Sequence, residues 1–246
     1  MKKPGFTVIH TNDFHNKLTR EKAGALATMK ADAGANTLLI DAGDAISAGN
    51  VTYHLSEPVY DLMKIAGYDA MTMGNREFHF SRSGLNAKLA QASFPVLCAN
   101  LYSATGDPPP VRRWTSFHFA DLKVIVFGLT VPMITDRMKV RIASPYRFAA
   151  PKICADEVLD TIKRDEHPDV VILLSHCGLR TDKEIAENTP GIDLIVGGHT
   201  HSILPTGERV GQCLIVQAGS FARYAGVVEA HATEDGYDFN PRLVEL

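Results

Sequence analysis

Five short apolar runs, each stopped by a polar or glycine-containing cluster, punctuate the chain from one end to the other. They are Phe6-Thr7-Val8-Ile9-His10, Thr37-Leu38-Leu39-Ile40, Ala70-Met71-Thr72-Met73, Val170-Val171-Ile172-Leu173-Leu174 and Ile192-Asp193-Leu194-Ile195-Val196. Runs this short, ended by turn residues, predict buried strands. Between them the period changes. Arg20 to Ala33 has helix-forming composition, with Leu26, Met29 and Lys30 grouped before Gly34. Glu57 to Gly67 predicts a second helix, with Pro58 near its start and Gly67 after its end. Ser83 to Ala90 predicts a third, Pro151 to Glu166 a long fourth with Ile153, Val158, Leu159 and Ile162 on an apolar face, and Thr181 to Asn188 a short fifth. Phe94 to Cys98, Leu214 to Ala218 and Ala225 to Ala232 predict further strands, and Tyr237 to Glu245 a strand closing a sheet edge. Arg112 to Phe119 and Leu122 to Leu129 predict a hairpin, while Ser103 to Pro110, ending in three prolines, predicts a loop. Strands and helices alternate without a repeat or linker, so one α/β domain over residues 1–246 is expected.

Composition narrows the class only a little. With 45% hydrophobic and 22% charged residues, the chain has the make-up of an ordinary soluble globular protein. The formal net charge is −3, with acids and bases interspersed. No basic face or tail stands out, so binding to a nucleic-acid duplex is not expected. No apolar stretch approaches the length of a bilayer span, so no membrane partner is expected. Met1 to Gly5 leads directly into the first run, with no room for the apolar part of a signal peptide, and the expected location is cytoplasmic unless the chain is a processed form. Cys98, Cys154, Cys177 and Cys213 form no CxxC pair and predict buried free thiols in a reducing compartment. Cys177 follows His176 but is not counted among the ligands.

The clusters that stop the five runs change the picture most. They are Asp13-Phe14-His15, Gly43-Asp44, Gly74-Asn75, Ser175-His176 and Gly197-Gly198-His199-Thr200-His201. Strand ends are where open α/β sheets place ligands. Two carboxylates, one amide and four imidazoles form an oxygen and nitrogen set suited to Mn, Fe, Zn or Mg. If the extended backbone persists, Asp13 and His15 project to one side and grip one ion. The same geometry applies to His199 and His201, although a turn there would aim them at two different ions. Gly43 lets the backbone turn so that Asp44 projects from the strand end, and a carboxylate can bridge two cations. Asn75 offers a neutral oxygen that preserves Lewis acidity. Two ions ~3.5–4 Å apart would hold a hydroxide and clamp phosphoryl oxygens, the pKa of water falling from about 16 to about 7. His10, His54, His118, His167 and His231 read as ordinary hydrogen-bonded residues.

As an ordered set, these blocks resemble the calcineurin-like metallophosphoesterase superfamily, whose pattern is D-x-H, GD, GN-H/D, H and GH-x-H. Ile9-His10-Thr11-Asn12-Asp13-Phe14-His15 is similar to the opening of its 5′-nucleotidase branch. So are Met73-Gly74-Asn75-Arg76-Glu77-Phe78, and Gln217-Ala218-Gly219-Ser220 followed by Tyr224-Ala225-Gly226. The resemblance runs from about Phe6 to Val228. It implies a four-layer α/β/β/α sandwich with the site where two sheets meet. It implies a first metal held by Asp13, His15, Asp44 and His201, and a second by Asp44, Asn75, His176 and His199, with Asp44 bridging. Manganese heads the candidate metals. The implied activity is hydrolysis of a small phosphomonoester, nucleotides included, by a metal-bridging hydroxide.

Two departures qualify the likeness. The family usually has His after the Asn, to protonate the leaving oxygen or stabilise the transition state, assisted by an Asp three residues on. Here these positions are Arg76 and His79. An arginine stays charged and cannot be a general acid at neutral pH, yet it can pair with phosphate oxygens through two parallel hydrogen bonds. His79 can supply the proton if a local turn brings it onto the face of Arg76. Otherwise Arg76 pairs with Glu77 or another acid and His79 is solvated. The catalytic candidates are thus Asn75, Arg76 and His79. A lost general acid, worth about 10²–10⁴-fold, shifts preference toward good leaving groups. The alternatives are a phosphodiesterase, a phosphoanhydride hydrolase, or a non-catalytic binder in which Arg76 locks a bound anion. Secondly, full-length members of the nucleotidase branch resemble two-domain proteins whose C-terminal domain holds the base between aromatic rings. The chain ends at Leu246 and its one tryptophan, Trp114, falls in the hairpin, so no such platform is expected. The loops Ala45 to Ser56 and Leu101 to Arg113 are candidate specificity elements.

Overall fold

Alternation along the apolar runs sorts their side chains into separate cores. The computed structural model describes residues 3–54 and 56–246. Its strands are β1 (Phe6–Thr11), β2 (Thr37–Asp41), β3 (Ala70–Thr72), β4 (Val96–Leu97), β5 (Leu101–Ser103), β6 (Trp114–Phe119), β7 (Leu122–Thr130), β8 (Tyr146–Phe148), β9 (Val170–His176), β10 (Leu194–Gly197), β11 (Glu208–Val210), β12 (Cys213–Val216), β13 (Tyr224–Ala232) and β14 (Tyr237–Glu245). Its helices are α1 (Arg20–Ala33), α2 (Pro58–Ala66), α3 (Arg82–Leu89), α4 (Pro151–Asp165) and α5 (Leu179–Asn188). Two six-stranded sheets run β14-β13-β1-β2-β3-β4 and β11-β12-β10-β9-β7-β6, and β5 pairs with β8.

Val8, Leu38 and Ile40 of the first sheet meet Val126, Ile172, Leu174 and Val196 of the second in a core between the sheets. Their neighbours Ile9, Leu39 and Met71 point the other way, onto Leu26 of α1 and Tyr60 and Met63 of α2. Ile125, Phe127, Val171, Leu173 and Ile195 likewise pack on Val158 and Leu159 of α4 and Ile185 of α5. The result is a four-layer α/β/β/α sandwich. Strands buried on both faces have no polar side, which explains the unbroken apolar runs.

The inner strands are parallel: β1 with β2, β2 with β3, β7 with β9, β9 with β10, and β10 with β12. Antiparallel β14 forms the outer edge beside β13, as Tyr237 to Glu245 predicted. The turns after β1, β2 and β3 of one sheet therefore meet the turns after β9 and β10 of the other. The Phe94 to Cys98 strand shrinks to Val96–Leu97, and β5, β8 and β11 were not foreseen. These strands have two or three residues each, too few for a periodic signal. Among the described residues no helix is long and apolar enough to cross a membrane.

Candidate metal centre

The extended backbone stops before the site begins. Strand β1 ends at Thr11, and Asp13 and His15 lie in left-handed conformations, with φ of 54° and 48°. Asp44 (57°), His199 (72°) and His201 (54°) do the same. Such residues are uncommon and cost on the order of 1–3 kcal/mol each, persisting only where the surroundings over-determine them. The expectation that strand alternation aims Asp13 and His15 is thus corrected: tight turns aim them. For His199 and His201 the turn reading holds, because the two rings reach different partners. The turns are zipped together, with Asp13 N–H donating to the Gly43 carbonyl at 2.9 Å and His15 N–H to the Asp44 carbonyl at 3.0 Å. Gly43 has φ 89°, and a Cβ there would lie 2.7 Å from the Gly74 nitrogen. Only glycine permits that approach.

Several buried polar groups hold these turns, and Asn12, Glu77 and Gln217 among them fall within the blocks that carry the family resemblance. Glu77 is fully buried and accepts from the N–H groups of Asp44 (2.9 Å), Gly74 (2.8 Å) and Ile46 (3.2 Å). It anchors two ligand turns and does not pair with Arg76, whose Nε lies instead 3.9 Å from Oδ2 of another acid, Asp44. Burial, and then the charge of Asp44, push its carboxyl up to about 7, against the pull of those N–H groups. Asp41 accepts from Thr11 Oγ1 at 2.6 Å and from Gly43 N–H at 2.8 Å. Asn12 donates to Asp13 Oδ2 at 2.8 Å and accepts from Ala218 N–H at 2.9 Å, and Gln217 donates to the Gly198 carbonyl at 2.9 Å. The positions of these residues beside the ligand clusters were legible in the sequence, but not the backbone groups that they hold.

The structure brings all seven expected ligands together. His201 Nε2 lies 3.2 Å from Asp13 Oδ1 and 3.1 Å from His15 Nε2. Asn75 Oδ1 lies 3.2 Å from His176 Nε2 and 3.1 Å from His199 Nδ1, and Asp44 Oδ1 is 3.4 Å from His176 Nε2. Asp13, His15 and His201 form one group with ligand atoms within 4.8 Å of one another, and Asp13, Asp44 and His176 form a second. By this measure Asp13 belongs to both groups and Asp44 to the second alone.

The donor set fits a cation. His176 Nδ1 lies 2.7 Å from the Ala42 carbonyl, so this nitrogen carries the proton and Nε2 turns a lone pair toward the oxygens of Asp44 and Asn75. Asp13 Oδ1 is buried without a hydrogen-bond partner. Buried lone pairs facing one another need a proton or a cation between them. Burial opposes charge on His176, yet the hydrogen bond and charge of Asp44, with the charge of Asp13, raise its pKa to about 9. The pocket thus draws positive charge to this point. Burial lowers His15 and His199, which favours the neutral, ligating imidazole.

A cavity of about 370 Å³ opens onto the site, lined by His15, Asp44, Asn75, His199 and His201 together with Ser47, Arg76 and Phe221. Asp13 and His176 are fully buried. Arg76 donates its backbone N–H to Asp44 Oδ1 at 2.7 Å, and its Nη1 donates to the Ser47 carbonyl at 3.1 Å. Its side chain is 42% exposed, which leaves it accessible from the cavity. His79 is not brought in. It is buried, its Nδ1 accepts from Ser81 N–H (3.1 Å), and its ring stacks on Phe80. The chain after Arg76 carries His79 to the start of α3, so the turn that would place it beside Arg76 does not form. The other histidines line no part of this cavity. All four cysteines are buried and free, as expected.

A family model described as calcineurin-like phosphoesterase matches residues 6–202. The chain belongs to this family. Among its relatives are Protein UshA of Escherichia coli (strain K12), 31% identical over 220 residues, and the 5′-nucleotidase of Vibrio cholerae, 31% identical over 224. Each match covers 79% of this chain and 40% of the relative, so the chain spans about two fifths of their length. A 5′-nucleotidase precursor from Thermus thermophilus has a similar fold, with a TM-score of 0.82 at 22% identity over 99% of this chain and 55% of that one. The calcineurin-like phosphoesterase YfkN of Bacillus subtilis superposes with a TM-score of 0.80 at 20% identity, over 98% of this chain and 91% of the other.

Proposed function

We propose that this calcineurin-like phosphoesterase hydrolyses a small phosphomonoester using two divalent ions. Asp13, His15, Asp44 and His201 would hold the first ion, and Asp44, Asn75, His176 and His199 the second. The observation that carries the reading is the buried Asp13 Oδ1, without a hydrogen-bond partner between two converging imidazole groups. Bound divalent cations supply Lewis acidity, lowering the pKa of water and neutralising phosphoryl oxygens. The mixed nitrogen and oxygen set supports manganese as the first metal to test. Arg76 would pair with phosphoryl oxygens from the cavity wall and stabilise developing charge. The relatives named 5′-nucleotidase support a nucleotide as one candidate substrate. The four buried free thiols support a reducing location such as the cytoplasm, which cell fractionation can check.

The position of His79 favours a second reading. With Arg76 permanently charged and His79 outside the cavity, neither supplies a proton to a leaving oxygen. A phosphodiesterase or phosphoanhydride hydrolase needs that proton less. The test is turnover of para-nitrophenyl phosphate and of its bis ester with added Mn²⁺, before and after chelation, with metal content measured on the same samples. The monoester reading expects chelator-sensitive turnover of the monoester in preference to the bis ester, and Asp44→Asn to abolish it. Preference for the bis ester supports the second reading. Tight metal binding with no turnover of either supports a non-catalytic metal and phosphate binder.

A further inference from the structure

The cavity over the metal centre has one carbon wall. Its other lining residues are imidazoles, a carboxylate, an amide, a hydroxyl and a guanidinium, whereas Phe221 presents a phenyl ring that is 40% exposed. That ring is held at some cost, because Phe221 and Ala222 are consecutive left-handed residues with φ of 61° and 54°. Phe221 N–H donates to the Asp13 carbonyl at 2.9 Å, and Lys22 Nζ donates to the Ala222 carbonyl at 2.6 Å, so the strained turn is tied at two points. The ring centroid lies 5.4 Å from that of His15 and 5.5 Å from that of His201. A ring this close to the ligand groups stands beside the substituent carried by a phosphoryl group bound between them.

We propose that Phe221 is the specificity-determining residue of the cavity and selects phosphate monoesters of phenols. This deepens the phosphomonoesterase reading and rests on it. An aryl group on the ester oxygen can pack edge-on or offset against Phe221. The same chemistry answers the lack of a proton donor at Arg76 and His79, since a phenol has a pKa of about 10, far below the value of about 16 for water. In the hydrolysis a P–O bond forms from water and the aryl O–P bond breaks. The electron pair leaves on the phenolic oxygen, which takes its proton from solvent, and the proton lost by water passes to phosphate or solvent.

The test uses the Mn²⁺-loaded protein with non-hydrolysable probes, phenylphosphonate and methylphosphonate, titrated by calorimetry. Wild type should bind phenylphosphonate about tenfold more tightly than methylphosphonate, as expected for one aromatic contact. Phe221→Ala should lose that preference, Phe221→Leu should lose most of it, and Phe221→Trp should keep it. Equal affinities in wild type overturn the proposal, as does an undiminished preference in the Ala variant. In turnover, the ratio of kcat/KM for phenyl phosphate to that for acetyl phosphate should fall about tenfold in Phe221→Ala. A fall shared equally by both substrates assigns Phe221 to holding the turn and overturns the proposal. Wild-type protein that hydrolyses no monoester defeats the phosphomonoesterase reading, and the phosphonate titration still decides the role of Phe221.

Discussion

Lys88 offers the sharpest test of how the site is held. It sits on α3, fully buried, and its Nζ donates to the carbonyls of Gly49 (2.8 Å), Arg76 (2.8 Å) and Phe78 (2.9 Å). One side chain thus clamps the loop after Asp44 to the segment carrying Arg76. Lys88→Met keeps the length of the side chain and removes the ammonium. The Gly49 carbonyl keeps a second donor, the Thr52 N–H at 3.3 Å. Among the described residues the Arg76 and Phe78 carbonyls accept from no other group, and each would be orphaned at a cost of about 1–3 kcal/mol. Relief from burying an ammonium offsets part of this, leaving a net loss of about 3 kcal/mol. For a chain of this length each kcal/mol moves Tm by about 2–4 °C, so Tm should fall by about 6–12 °C in calorimetry. Displacement of Arg76 should also lower kcat/KM by about tenfold or more at temperatures where the variant is folded. A Tm within about 2 °C of wild type, with unchanged kcat/KM, would refute the clamp.

Two further predictions concern acid stability and leaving groups. His10 is buried, its Nδ1 has no hydrogen-bond partner, and burial pushes its pKa down to about 3 from the usual 6.5. The unfolded chain therefore binds the extra proton between these values, so this stability is complete above pH 6.5 and falls by on the order of 1.4 kcal/mol per unit as pH drops toward 3. Urea unfolding midpoints of His10→Gln should fall less steeply than wild type between pH 7 and 4, and identical slopes refute the assignment. Arg76→His restores a titratable group beside Asn75, and should flatten the dependence of log kcat/KM on leaving-group pKa across a series of phosphomonoesters, raising the slowest most. Parallel lines for the two proteins would show that the proton donor does not limit the wild type.

Much of this protein was legible one residue at a time. Alternation within the apolar runs sets which side chains face which core, because successive residues of a strand point to opposite faces. Val8 and Ile9, or Ile172 and Leu173, sort into different layers for that reason alone. The ligand types and their places after the runs were likewise readable, since a strand end is a local feature. What the chain could not announce were contacts between segments distant in sequence. Glu77 reaches back to Asp44, Lys88 to Gly49, and Asn12 forward to Ala218. A buried polar group is stable only when its partners are in place, and those partners come from other turns. Tertiary packing likewise decided backbone conformation. It holds Asp13, His15 and Phe221 in left-handed turns that local preference disfavours, and carries His79 away from the cavity. The sequence by itself determined the buried strands, the helices and the set of donors, and its family resemblance implied the layers. The three-dimensional packing decided how the donors converge, and which of their neighbours reach the substrate's place.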